Sequence, residues 1–123
     1  MAKLYWNSFF IKKDIKINGM AQMIVIYKTP ENKEVFDKHY FEVHIPMAKK
    51  LPGLRKYEVS ESPIISTAGD RQTYQIGTLY FDSLEDMNAA IASAQGKACA
   101  ADRRILVPDD EKIQIYLFDT IEI

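Results

Sequence analysis

The chain has 123 residues, 47% hydrophobic and 27% charged, the ordinary composition of a single soluble globular domain. Its formal charge of −1 at pH 7, with no basic block, argues against nucleic acid as a partner. One cysteine, Cys99, rules out an intrachain disulfide, and no apolar run nears the roughly 20 residues of a membrane helix, so no membrane is expected and a reducing cytoplasm is the expected location.

Residues 1–19, MAKLYWNSFFIKKDIKING, form an N-terminal extension, and residues 20–123 form the domain proper. Asn18-Gly19 is a strong hairpin signal, so the extension reads as a short added strand, as a flexible extension, or as an upstream start before a natural Met20 or Met23. Lys12, Lys13 and Asp14 interrupt its apolar part, which argues against a signal peptide. Met20–Lys28 is an apolar run rich in branched residues, the pattern of a strand covered on both faces.

From Thr29 to Tyr57 the sequence predicts one amphipathic helix, a proline break and the start of a strand. Phe36, Tyr40, Val43 and Met47 share one helical face, with Thr29 as the expected N-cap and Pro30 at the first helical position. Leu51-Pro52-Gly53 stops the helix. Pro46 offers no N–H to the carbonyl of Glu42, so the helix should end or kink near His44. On a regular helical wheel His39 and His44 flank the apolar stripe on opposite borders, roughly 140° apart. That spacing argues against the pair holding one metal, and no metal site is expected.

Leu54–Ser62 alternates as a second strand, residues 63–71 read as a loop, and Thr73–Phe81 is a third strand with Tyr74, Ile76, Thr78 and Tyr80 on one face. Gly77 in its middle suggests a bulge or a close backbone approach. Ser83-x-x-Asp86 resembles a capping box opening a helix that Gly96 is expected to end, with a short helical piece over Lys97–Leu106. Lys112–Ile121 is the last strand. The order β-α-β-β-α-β is the ferredoxin-like α+β arrangement, a four-stranded antiparallel sheet with its helices on one face. Both sheet faces carry apolar residues and no segment is left for the second face, so a homodimer through that open face is expected.

The run Phe36, His39-Tyr40, His44-Ile45-Pro46, Leu51-Pro52-Gly53-Leu54 and Tyr57 resembles the signature of the EthD-like family of dimeric α+β barrels. The likeness extends from Met23 to the end, with the alanine-rich run around Gly96 and Asp102 fitting the same pattern. The resemblance implies a pocket between helices and sheet that takes a hydrophobic small molecule, with Phe36, Tyr40, His44 and Met47 on its helical wall. Tyr27, Tyr57, Tyr80 and Tyr116 are candidates for the sheet wall, and His39 for the rim. It further implies oxygenation, cyclisation or isomerisation without a cofactor, with His44 as the acid/base group and Tyr40 orienting it.

Other readings stand beside these. His44 can instead serve the helix C-terminus and its dipole, and Phe36, Tyr40 and Met47 at helical spacing are core residues as well as pocket lining. Asp102-Arg103-Arg104 reads as a solvated face with local ion pairs, Cys99 as a small buried hydrophobe, and Asp119 as a rim residue or a polar pocket group. The functional alternatives are a non-catalytic binding or accessory protein and, more weakly, a haem binder with a histidine ligand.

Overall fold

A computed structural model describes residues 20–69 and 72–123; the expectation of an added strand in residues 1–19 falls outside them. Strand β1, Ala21–Lys28, leads into helix α1, Lys33–His39. The helix continues through a π-helical turn, Tyr40–His44, and resumes as α2, Ile45–Ala48. Strands β2, Lys56–Val59, and β3, Thr73–Phe81, follow, then α3, Leu84–Ala92, and α4, Ala94–Leu106. A 3₁₀ turn at Asp110–Lys112 leads into β4, Ile113–Asp119. The four strands are antiparallel in the order β2-β3-β1-β4, the split βαβ topology of a ferredoxin-like α+β fold. No described helix is long and apolar enough to cross a membrane.

Local chemistry explains the element ends. Asn32, not Thr29, caps α1, its side-chain oxygen accepting from the Val35 N–H at 3.0 Å. Thr29 precedes Pro30, which favours an extended backbone, and its N–H and hydroxyl both donate to the Gln72 carbonyl instead. Ser83 caps α3 by accepting from Asp86, as its motif predicts. Gly96 does not end that helix. Ser93 both closes α3 and caps α4, and Gly96 lies inside α4 because a Cβ there would come within 2.3 Å of the Ala90 and Ile91 carbonyl oxygens.

The register assigns each strand residue to a face. Met23, Val25 and Tyr27 pair across β1 with Leu79, Gly77 and Gln75 on one side and Leu117, Ile115 and Ile113 on the other, and these point toward the helices. Ile24, Ile26, Ile76, Tyr80, Tyr116 and Phe118 therefore line the opposite face, over which no described helix packs. The register shift at Tyr27/Lys28 turns Tyr74 back toward the helices, against the expected alternation; its ring packs edge-on to Phe36 and its hydroxyl donates to Asp37.

The core has two buried clusters, one around Leu79, Phe81 and Met87 and one around Tyr27, Phe36 and Tyr40, with Met23 touching both. Gly77 shapes the second. A Cβ there would lie 2.8 Å from the Tyr40 hydroxyl, so glycine lets that fully buried phenol reach the sheet and bond to the Tyr57 hydroxyl at 3.1 Å. Gly77→Ala is expected to push the Tyr40 ring off the sheet and destabilise the fold by about 1–3 kcal/mol in urea titrations. An unchanged midpoint would mean that Tyr40 has room to move.

Candidate functional site

The helical stretch before Pro46 does not follow α geometry throughout. Pro46 cannot donate to the Glu42 carbonyl and its ring crowds the preceding turn. The helix answers by widening rather than ending: the Ile45 N–H bonds to the Tyr40 carbonyl, five residues back. One residue is thereby added to the turn, and the buried face slips by one position. Phe36 and Tyr40 stay inside, but Val43 is 41% exposed and His44 and Ala48 take the inward places. The expected stripe through Val43 and Met47 is corrected to one through His44 and Ala48.

The same slip corrects the histidine geometry. Residues five apart diverge on an α-helix but come onto nearly one face across a π turn. His39 Nε2 and His44 Nδ1 each lie 2.8 Å from a different oxygen of Asp102 on α4. Asp102 is only 6% exposed, so it is a buried anchor and not part of a solvated face. Burial pushes its carboxyl up, but the hydrogen bonds from His44 and His39 and their charges outweigh this and hold it below the ordinary value. An ionised carboxylate only accepts, so both imidazole nitrogens donate to it. The neutral His44 ring then carries its proton on Nδ1, leaving Nε2 as a lone-pair nitrogen with no partner among the described residues. His44 also stacks on Tyr40, ring centroids 6.1 Å apart.

A cavity of about 300 Å³ opens between the helices and the sheet beside His44. Its walls are mostly apolar, including Val25, Leu79 and Leu117 from the sheet and Ala48 and Leu51 from the first helical segment. Helix α4 contributes Gly96, Cys99, Ala100 and Arg103 at helical spacing. Tyr27 and Tyr57 supply hydroxyls, and burial first of all raises the ionisation of both, so they stay as O–H groups. Burial likewise pushes the Cys99 thiol up. A larger groove of about 520 Å³ lies on the far side of His39, lined by Phe36, Val107 and the segment from Lys28 to Asn32.

The expected site residues therefore divide. His44, Tyr27 and Tyr57 meet at the cavity, while Phe36 and His39 line the neighbouring groove. Tyr40 is wholly buried behind His44 and touches neither space. Met47 is displaced from the wall by the one-residue slip, and Ala48 stands there instead. Tyr80 and Tyr116 pair with Gln22 and Ile24 on the sheet face away from the described helices, so their placement in the pocket wall is corrected. Tyr80 there bonds to Glu58 at 2.7 Å, and Asp119 is exposed at the end of β4. Sequence reading missed Asp102 and Arg103. The available signal was the stripe of Gly96, Cys99, Ala100 and Arg103, small residues leaving space on a face that ends in a cation.

Fold and site together define a ferredoxin-like α+β protein with a histidine–carboxylate pair at an apolar cavity. The EthD domain matches residues 28–108, and the chain belongs to the EthD family. An ethyl tert-butyl ether d (EthD) family protein from Bacillus halodurans is 31% identical with a TM-score of 0.70, covering 85% of this chain and 99% of that one. An uncharacterized 11.0 kDa protein of the thcB-thcC intergenic region of Rhodococcus erythropolis is 26% identical over 83 residues, 68% of this chain and 80% of that protein. A dimeric ferredoxin-like protein of unknown function from Jannaschia shares the fold at a TM-score of 0.60 and 13% identity, covering 80% and 97% of the two chains.

The Asp102 carboxyl is lowered on folding, so the unfolded chain binds more protons through the acid range. Its contribution is complete above the ordinary carboxylate value of 3.8 and is lost as pH falls through the folded value. Asp102→Asn is expected to lose about 1–3 kcal/mol near neutrality. Its stability should also fall less steeply than wild type on acidification below about pH 4. Parallel urea curves at each pH check this; equal slopes in the two proteins would contradict the assignment.

Proposed function

We propose that this EthD-family chain works as a homodimer that binds an apolar small molecule in the cavity beside His44 and acts on it by proton transfer, with no resident cofactor. The observation that carries the reading is the Asp102–His44 pair at 2.8 Å, which leaves Nε2 without a partner among the described residues on a ring that lines an apolar space. A carboxylate-held imidazole is the usual form of a general base, and a mostly apolar cavity suits a flat hydrophobic ligand. In this reading His44 takes a proton from a carbon or hydroxyl of the ligand and returns it. That step is common to isomerisation, cyclisation and the opening stage of a cofactor-free oxygenation. Tyr40 supports the imidazole from behind by stacking, and residues 20–123 form the working domain, with residues 1–19 an extension to it.

The sheet face that no described helix covers supports the dimer. Ile24, Ile26, Ile76 and Phe118 are only partly buried there and Tyr116 is 49% exposed, an apolar strip that the described helices do not cover. The Jannaschia protein of the same fold is described as dimeric, which supports this reading. Ile24→Lys is expected to halve the mass seen by sedimentation while the circular dichroism spectrum stays folded. A monomeric wild type would remove the proposed dimer.

Turnover can be tested without knowing the natural substrate. In heavy water, the protein is expected to speed deuterium entry at the α-carbon of 2-tetralone, a flat enolisable ketone of suitable size. His44→Gln should reduce that acceleration by about 100-fold or more. Tetralone that binds in the cavity with no acceleration would favour the binding or accessory role. Equal exchange by wild type and variant would remove His44 as the base.

A further inference from the structure

The cavity has a polar corner as well as apolar walls. Tyr27 is 1% exposed, its hydroxyl makes no hydrogen bond to any described residue, and it lines the cavity. A buried phenol ordinarily finds a partner, so one without a partner among the described residues at the wall of an open space points to a ligand atom. Arg103 stands at the same corner. It is one of two α4 cations that line the cavity, with Arg104; its side chain is 14% exposed, and its Nη2 is tied to Asp110 at 2.7 Å, which fixes the guanidinium in place. Its Nε is buried with no hydrogen-bond partner. Among the described residues no carboxylate lines the cavity; the Asp102 carboxylate outside its wall is tied to both imidazoles, and its charge on Tyr27 is opposed by that of Arg103. The corner therefore offers a hydroxyl donor and positive charge with nothing negative in the wall.

We propose that the cavity selects apolar molecules carrying one oxygen that is anionic or becomes so, such as an enolisable ketone or an aryl carboxylate, and that the Tyr27 hydroxyl donates to that oxygen in the field of Arg103. This rests on the reading of the cavity as a ligand site and names what it takes. With a ketone the step balances within the site. His44 Nε2 removes the α-proton, the C–H electron pair becomes the C=C bond, and the carbonyl π pair moves onto oxygen. Tyr27 stabilises that oxyanion by a hydrogen bond and keeps its own proton, and the imidazolium returns the proton to carbon. Oxygen that gains charge only in the reaction is where a fixed donor in a dry site acts most strongly.

The test uses two probes of one shape, 2-naphthoate and neutral 2-naphthamide, with binding followed by calorimetry. Wild type is expected to prefer naphthoate by about tenfold or more, the scale of one hydrogen bond to a charged group. Tyr27→Phe should erase most of that preference and weaken naphthamide much less than naphthoate, because a hydrogen bond to a charged oxygen contributes more than one to a neutral amide. Arg103→Met should weaken naphthoate in the same direction, and a melting curve for each variant confirms that it folds. Equal affinity for the two probes, or a preference that survives in Tyr27→Phe, would overturn the selectivity while leaving the cavity as a ligand site. Failure of both probes to bind or to shift cavity resonances would remove the ligand site and the selectivity with it.

Discussion

The site depends on a proline that cannot complete a helix. Pro46 leaves the Glu42 carbonyl without its usual donor, and the chain absorbs the defect in one wide turn instead of stopping. That turn adds a residue between the two histidines and the face behind them. Without it, His39 and His44 would point apart and a single carboxylate could not hold both. With it, Asp102 accepts from both rings at 2.8 Å and fixes the first helical segment against α4. A buried carboxylate with two cationic or neutral donors is well satisfied, while one with none would be strongly destabilising. The arrangement is thus structural and functional at once: the contact that pins α4 also aims an imidazole.

The rest of the cavity is made by what is missing around that anchor. Glycine at position 77 lets Tyr40 press onto the sheet, which seats the ring that backs His44. Glycine at position 96 lets α4 turn sharply out of α3, and its small neighbours Cys99 and Ala100 leave space above the sheet. Larger side chains at these places would fill the core as dispersion and burial normally demand. The fold gives up some packing to keep an apolar hollow, and it places Tyr27, His44 and Arg103 on the walls of that hollow.

Much of the fold was legible in the sequence because its signals are local. Branched runs, the Ser83 cap and the order of strands and helices each depend on a few neighbouring residues, and β3 falls on the span expected for it. Pro46 and Gly77 were also readable as places where something unusual happens. What could not be read was the direction of the consequence. A wheel drawn at constant pitch puts Val43 and Met47 inside, and only the added residue of the wide turn substitutes His44 and Ala48. Asp102 was misread for a related reason: an acidic residue beside two arginines looks solvated until its long-range partners, about sixty positions away, are known. Tyr80 and Tyr116 stand among the candidates for the pocket wall yet lie on the other sheet face, because alternation gives two faces without saying which one the helices cover.

The shared carboxylate makes a demand on the two imidazoles that is unusual and directly measurable. Asp102 meets His39 at Nε2 and His44 at Nδ1, so the neutral rings must carry their protons on opposite nitrogens. Long-range proton–nitrogen correlation spectra of the folded protein read the tautomer of each ring. The account predicts His39 protonated on Nε2, His44 protonated on Nδ1, and both N–H protons protected from exchange until Asp102 is replaced. Two rings in the same tautomer, or freely exchanging protons on both, would contradict it.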